Sequence, residues 1–167
     1  MKKYIPLLAV ALLVCLFIYV FYRTEKTLVN QVVIALISRG RYHSLKTAII
    51  SALPLRDCIV YSLPEGLWVF CITLTSGPFY IRLKNYKLRL VFIPILIAVG
   101  MELLQLVHFL NGRFDLMDIA FSTGFWLLAL LRTRNHLSEE PIFRSFDTQS
   151  VSCIVCYSIV YLAHVIY

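Results

Sequence analysis

The chain predicts an all-α fold: a polytopic membrane helix bundle of four to five transmembrane helices plus an interfacial amphipathic helix, as one integral membrane domain over residues 1–167. Three observations predict it. Hydrophobic residues make up 60% of the chain and charged residues 15%, with mean hydropathy +0.79, more apolar surface than a soluble domain of this length can hide. Long runs almost free of charge recur along it. The Lys and Arg residues behind the net charge of +7 sit in short clusters beside those runs, where anionic headgroups would meet them. That placement argues against the nucleic-acid partner a basic chain otherwise suggests.

The first run, residues 4–22, carries no charge and lies between Lys3 and Arg23, long enough to cross the hydrocarbon core. It ends in bulky Tyr19-Val20-Phe21-Tyr22 rather than a small-residue cleavage site, so it reads as a retained anchor. Composition then changes. Within residues 27–38, Leu28, Val32 and Leu36 beside Val29, Val33 and Ile37 form an apolar stripe opposite Asn30 and Gln31, the pattern of a short helix lying in the interface. The second span, residues 58–81, contains Leu63-Pro64-Glu65-Gly66, where the missing proline donor and the adjacent glycine predict a kinked or re-entrant start. Trp68 follows at a depth typical of aromatic belts, and Gly77-Pro78 marks the far end.

Arg82, Lys84, Lys87 and Arg89 read as a compact basic connection to the third span, residues 88–110. Asn111-Gly112 is a turn signal, and the fourth span covers residues 115–131, with Ser122, Thr123 and Gly124 as a small-residue face for close helix contact. A polar connection leads to the fifth span, residues 151–167. Of the five cysteines, four lie inside apolar runs, and Cys153-x-x-Cys156 sits in a candidate spanning helix; they read as small hydrophobes, not as a disulfide framework.

With five spans and the amino terminus inside, nine basic residues face the cytoplasm: Lys2, Lys3, Arg82, Lys84, Lys87, Arg89, Arg132, Arg134 and Arg144. The other seven, Arg23, Lys26, Arg39, Arg41, Lys46, Arg56 and Arg113, face outward, mostly in one longer loop that weighs less in the positive-inside rule.

Antiparallel spans bring the start of the second, the end of the third and the start of the fourth to one membrane face. Glu65, Glu102, Gln105, Arg113, Asp115 and Asp118 therefore share that side and are the candidate binding residues. Glu102 is expected roughly 12 Å below the turn at Asn111. A lone carboxylate there costs about 2.5–3.5 kcal/mol on insertion scales, so it needs a partner, and the planar fork of Arg113 is the natural one. His108 reads as a core or interface residue. Clustered Asp and Glu suit Mg²⁺ or Ca²⁺. No known metal motif is matched, and neither metal nor cofactor is expected.

The string Glu102-x-x-Gln105, then Gly112-Arg113, Asp115 and Asp118, then Gly124 in an apolar helix, resembles the VanZ-like family of small bacterial integral membrane proteins. Pro64-Glu65 is similar to an acidic position at the entry of an earlier span there. The chain departs from the family's pattern in the fourth span, with Phe121 or Ser122 where asparagine is usual, and Asp115 stands closer to Arg113 than in the usual form. The resemblance implies the bacterial cytoplasmic membrane and a cell-envelope role linked to glycopeptide antibiotic resistance, with no established reaction. Three readings stay open from the residues. One is a pocket for an envelope lipid, cell-wall precursor or partner; another is an enzyme on a lipid-linked or phosphate-bearing substrate, with Arg113 holding phosphate. The third is a transport-like or proton-linked protein in which Glu102 changes protonation; beside these stands an ion-pair network that only fixes helix register.

Overall fold

A computed structural model describes residues 4–24, 28–83, 86–110, 112–133, 140–142 and 147–165. Lys2, Lys3, Lys26, Lys84, Asn111, Arg134, Arg144 and the end of the expected fifth span lie outside the described residues, as does the side chain of His164. The described chain is mostly helical with one small sheet. The helices are α1 (Ile5–Tyr22), α2 (Leu28–Ile37), α3 (Arg39–Ala52), α4 (Asp57–Ser76), α5 (Ile93–Leu106), α6 (Leu116–Thr133) and α7 (Thr148–Val165). Among the described residues α1, α4 and α6 are long and apolar enough to cross a membrane, and Leu90–Leu106 is a shorter apolar stretch.

α4 is the central helix. Two thirds of its apolar window (67%) is buried, against 22% for α1 and 11% for α6, so these two turn most of their apolar side chains outward. Leu13 on α1 and Leu131 on α6 are 63% and 66% exposed, the kind of surface that a water-facing exterior rarely carries in continuous patches. α1 runs antiparallel to α4: Ala11 packs with Phe70, Cys71 and Leu74, and the Tyr4 hydroxyl donates to the Arg132 carbonyl (2.9 Å) at the far end.

α4 and α6 run parallel, because Gly66 lies against Phe121 and Phe125 and, further along, Gly77 lies against Thr133. Close approach is possible only because these positions lack a side chain. A Cβ on Gly66 would stand 2.6 Å from Phe125 Cδ2 and 3.2 Å from the Phe121 backbone. Ser122 and Ala129 on α6 are fully buried, whereas Gly124 has nothing within 4 Å of a built Cβ and is exposed. The small-residue contact face therefore runs through Ser122 and Ala129, not through the expected Gly124. The buried threonine hydroxyls of α4 and α6 bond backward along their own helices, Thr73 to the Val69 carbonyl at 2.6 Å, Thr75 to Cys71 at 3.1 Å and Thr133 to Ala129 at 3.1 Å, which satisfies them without a neighbour.

The structure departs from the sequence expectation at further places, and the second expected span, residues 58–81, ends as a helix at Ser76. α4 runs unbroken through Pro64 rather than beginning with a re-entrant turn. The ring removes the donor that would meet the Val60 carbonyl and crowds the preceding turn, and in that same turn Arg23 Nη2 donates to the Tyr61 carbonyl at 3.2 Å. The expected basic connection is instead a β-hairpin, with β1 (Phe79–Leu83) pairing antiparallel to β2 (Tyr86–Arg89), Tyr80 opposite Arg89. A short β3 (Glu140–Pro141) joins β1 in parallel, and Phe79, Leu90, Ile142 and Cys153 fill the core beneath. The third expected span is shorter, since α5 ends at Leu106 after a 3₁₀ turn at Leu90–Phe92. Finally, α3 is a helix that the sequence reading did not resolve; Tyr42, with no exposed surface, ties it to α1 by donating to the Val20 carbonyl at 2.7 Å.

Candidate functional site

At the end of the bundle opposite the sheet, α1, α4, α5 and α6 enclose a cavity of about 200 Å³ that opens outward. Glu65, Glu102, Gln105, Arg113 and Asp118 line it, as the sequence expected, together with Arg23, Tyr61 and Met101, which it did not single out. Asp115 does not line it.

Each side chain arrives by a local cause. Glu65 lies on α4 one residue before the Gly66 contact and so is held at the α4–α6 seam. Glu102 lies about one turn, about 6 Å, before the end of α5, which stops at Leu106 rather than continuing to Leu110 as expected. It is nevertheless only 3% exposed. Its Oε2 accepts the Asp115 backbone N–H at 2.9 Å, which fastens the α5–α6 turn to α5. Asp115 then caps α6, its Oδ1 accepting the Met117 N–H at 2.8 Å. This explains why an acidic residue of the motif faces away from the cavity. Asp118, in the first turn of α6, lines it.

The turn needs unusual backbone. His108, at φ 57°, is exposed where α5 ends, not in a core. Gly112, at φ 140°, passes over the Gln105 amide so closely that a Cβ would meet Gln105 Cδ and Nε2 at 2.8 Å. Only glycine adopts such a φ without strain, so Gly112 lets the chain cross Gln105 and deliver Arg113 to the rim. Arg23 is fixed by its bond to the Tyr61 carbonyl and by lying between two rings, 5.2 Å from the centroid of Tyr19 and 4.7 Å from that of Tyr61. From sequence it reads only as the charge that ends the first apolar run; its role depends on a contact 38 positions away in the chain.

The expected Arg113–Glu102 pair does not form. Among the described residues no guanidinium of the cavity lies within the 4.0 Å of an ion pair with Glu65, Glu102 or Asp118, and Arg113 is exposed at the mouth. Arg23 Nε and Asp118 Oδ1 are buried with no hydrogen-bond partner there. One carboxylate oxygen from each of Glu65, Glu102 and Asp118 lies within 4.8 Å of the other two, a spacing that admits a cation where the sequence expected none. The cavity therefore offers three clustered acceptors inside and two guanidinium groups beside them, with capacity left unused on both.

The class that fold and site define is a helical protein with helices apolar enough to cross a membrane and a charged cavity at one end. No protein-family model, curated protein or solved structure matches the chain.

Proposed function

We propose that this chain is a VanZ-like protein of the bacterial cytoplasmic membrane whose outward-facing cavity binds the headgroup of an envelope lipid or of a lipid-linked cell-wall precursor. Four or five helices cross the bilayer, with the amino terminus in the cytoplasm. The observation that carries the reading is the convergence of Arg23, Glu65, Glu102, Arg113 and Asp118, from separate elements, on one open cavity without pairing to one another. A network that merely fixes register closes on itself, because an unpaired charge inside a bundle is costly. An open set of acceptors and guanidinium forks is what a charged ligand completes. The lining by Glu102, Gln105 and Arg113, with Gly112 shaping the turn, favours the VanZ-like comparison, and the outward apolar side chains of α1 and α6 favour the bilayer.

The test is sensitivity to a glycopeptide antibiotic in a bacterial host expressing wild type, Glu102→Gln or Arg113→Lys at matched membrane levels. The expected result is that wild type lowers sensitivity and each variant loses the effect. Variants that fold, reach the membrane and protect like wild type would remove the cavity from the function.

A further inference from the structure

The cavity contains a more specific instruction about its ligand, and it rests on the headgroup reading above. We infer that the cavity takes a phosphate ester carrying a primary amine, the chemistry of a phosphoethanolamine group, with the ammonium among Glu65, Glu102 and Asp118 and the phosphate against Arg23 and Arg113.

Four observations lead there. The first is composition: three acidic side chains stand with two guanidinium groups in one cavity, so it presents partners for both a positive and a negative end of a ligand. The second is the geometry of that end. Three carboxylate oxygens within 4.8 Å of one another offer one acceptor to each donor of a primary ammonium, which has three. Two of these groups have spare capacity: Asp118 Oδ1 is buried and unpartnered among the described residues, and Glu102, 3% exposed, has one bond, through Oε2. A quaternary amine has no N–H to give and is too bulky for that spacing.

The third is the partner for the negative end. Arg23, whose Nη2 donates to the Tyr61 carbonyl, keeps a buried Nε without a partner, and Arg113 stands exposed at the mouth, so each guanidinium group retains N–H donors for a tetrahedral oxyanion. The fourth is size and access. About 200 Å³ is below the ~300–1,000 Å³ of pockets that enclose drug-sized ligands, which suits a headgroup but not a whole lipid. The α5–α6 turn beside the mouth presents Val107, Phe109 and Leu116 at 67%, 79% and 69% exposure, a surface along which acyl chains would lie.

The experiment uses the full chain in detergent, titrated by calorimetry with short-chain phosphatidylethanolamine, phosphatidylglycerol and phosphatidylcholine, with water-soluble O-phosphoethanolamine, and with Mg²⁺ or Ca²⁺ alone. The expected order places phosphatidylethanolamine at least tenfold tighter than the other two lipids. Asp118→Asn removes that preference, while Arg113→Gln weakens phosphatidylethanolamine and phosphatidylglycerol together. Binding of O-phosphoethanolamine within a few-fold of the lipid supports the same chemistry from a soluble source; much weaker binding assigns the source to the bilayer. Phosphatidylglycerol binding as tightly as phosphatidylethanolamine overturns the inference while leaving a headgroup site in place. Tight binding of Mg²⁺ or Ca²⁺ that depends on Asp118, with no preference among lipids, overturns it in favour of a metal site. No binding by any lipid overturns it together with the function proposed above.

Discussion

Gly66→Ala offers a direct measure of the α4–α6 seam on which Glu65 and Asp118 depend. The added Cβ would lie 2.6 Å from Phe125 Cδ2, about 1 Å inside the ~3.5–4.0 Å optimum for two carbons. It would also lie 3.2 Å from the Phe121 carbonyl carbon and oxygen, which are backbone and cannot rotate away. Phe125 packs against Phe70 and Phe121, with ring centroids 6.1 and 6.4 Å away, so yielding disturbs both ring contacts. Overpacking of this kind costs about 1–3 kcal/mol. Gly100 and Gly124 are the internal controls, since an added Cβ at either meets nothing within 4 Å. Their replacement by Ala gains about 0.5–1 kcal/mol from helix propensity alone. Thermal unfolding in detergent, followed by circular dichroism, should therefore lower the Tm of Gly66→Ala and leave Gly100→Ala and Gly124→Ala unchanged or raised. If all three shift alike, the parallel seam is wrong.

Gly77→Ala should follow Gly66→Ala but more mildly in the same melts, because its Cβ meets the Thr133 side chain, Cγ2 at 2.8 Å, rather than backbone. Tyr42→Phe removes a buried hydroxyl's bond to Val20 and leaves that carbonyl short of a partner, a loss of about 1–3 kcal/mol, read as lower Tm and faster proteolysis of α3. Glu102→Gln keeps an acceptor for the Asp115 N–H and should melt near wild type, whereas Glu102→Ala should melt clearly lower; equal melts would deny the turn its clasp. His108→Gly relieves a positive φ in an exposed residue and should leave stability unchanged or raise it by no more than about 1 kcal/mol, whereas Gly112→Ala, at φ 140°, should lower it, both read as Tm in the same melts.

Apolar run length was the most legible feature. α1 and α2 fall within a residue of their expected bounds because charges and polar residues flank them sharply, and α6 differs by about two. The hairpin was hidden by its charges. Phe79-Tyr80-Ile81-Arg82-Leu83 and Tyr86-Lys87-Leu88-Arg89 carry the β-branched and aromatic residues and the alternation of strands, but four basic residues in eight positions drew the reading toward topology. The candidate site was legible as a set of residues on one face. Their pairing was not: the Arg113–Glu102 pair fails because Glu102 is engaged with the turn's own backbone and Arg113 stays at the rim. Arg23 was beyond reach of any local pattern, since its neighbours come from α4.

The parallel course of α4 and α6 has an electrostatic consequence. Two neighbouring helices pointing the same way align their macrodipoles side by side, an arrangement that antiparallel neighbours avoid, and both positive ends emerge at the cavity face. Asp118 stands in the first turn of α6 and Asp57 in the first turn of α4, where each carboxylate offsets the partial positive charge of its own helix. The backbone thus helps hold anionic side chains in place at this end of the bundle, and a helix reversed at either position would lose that support.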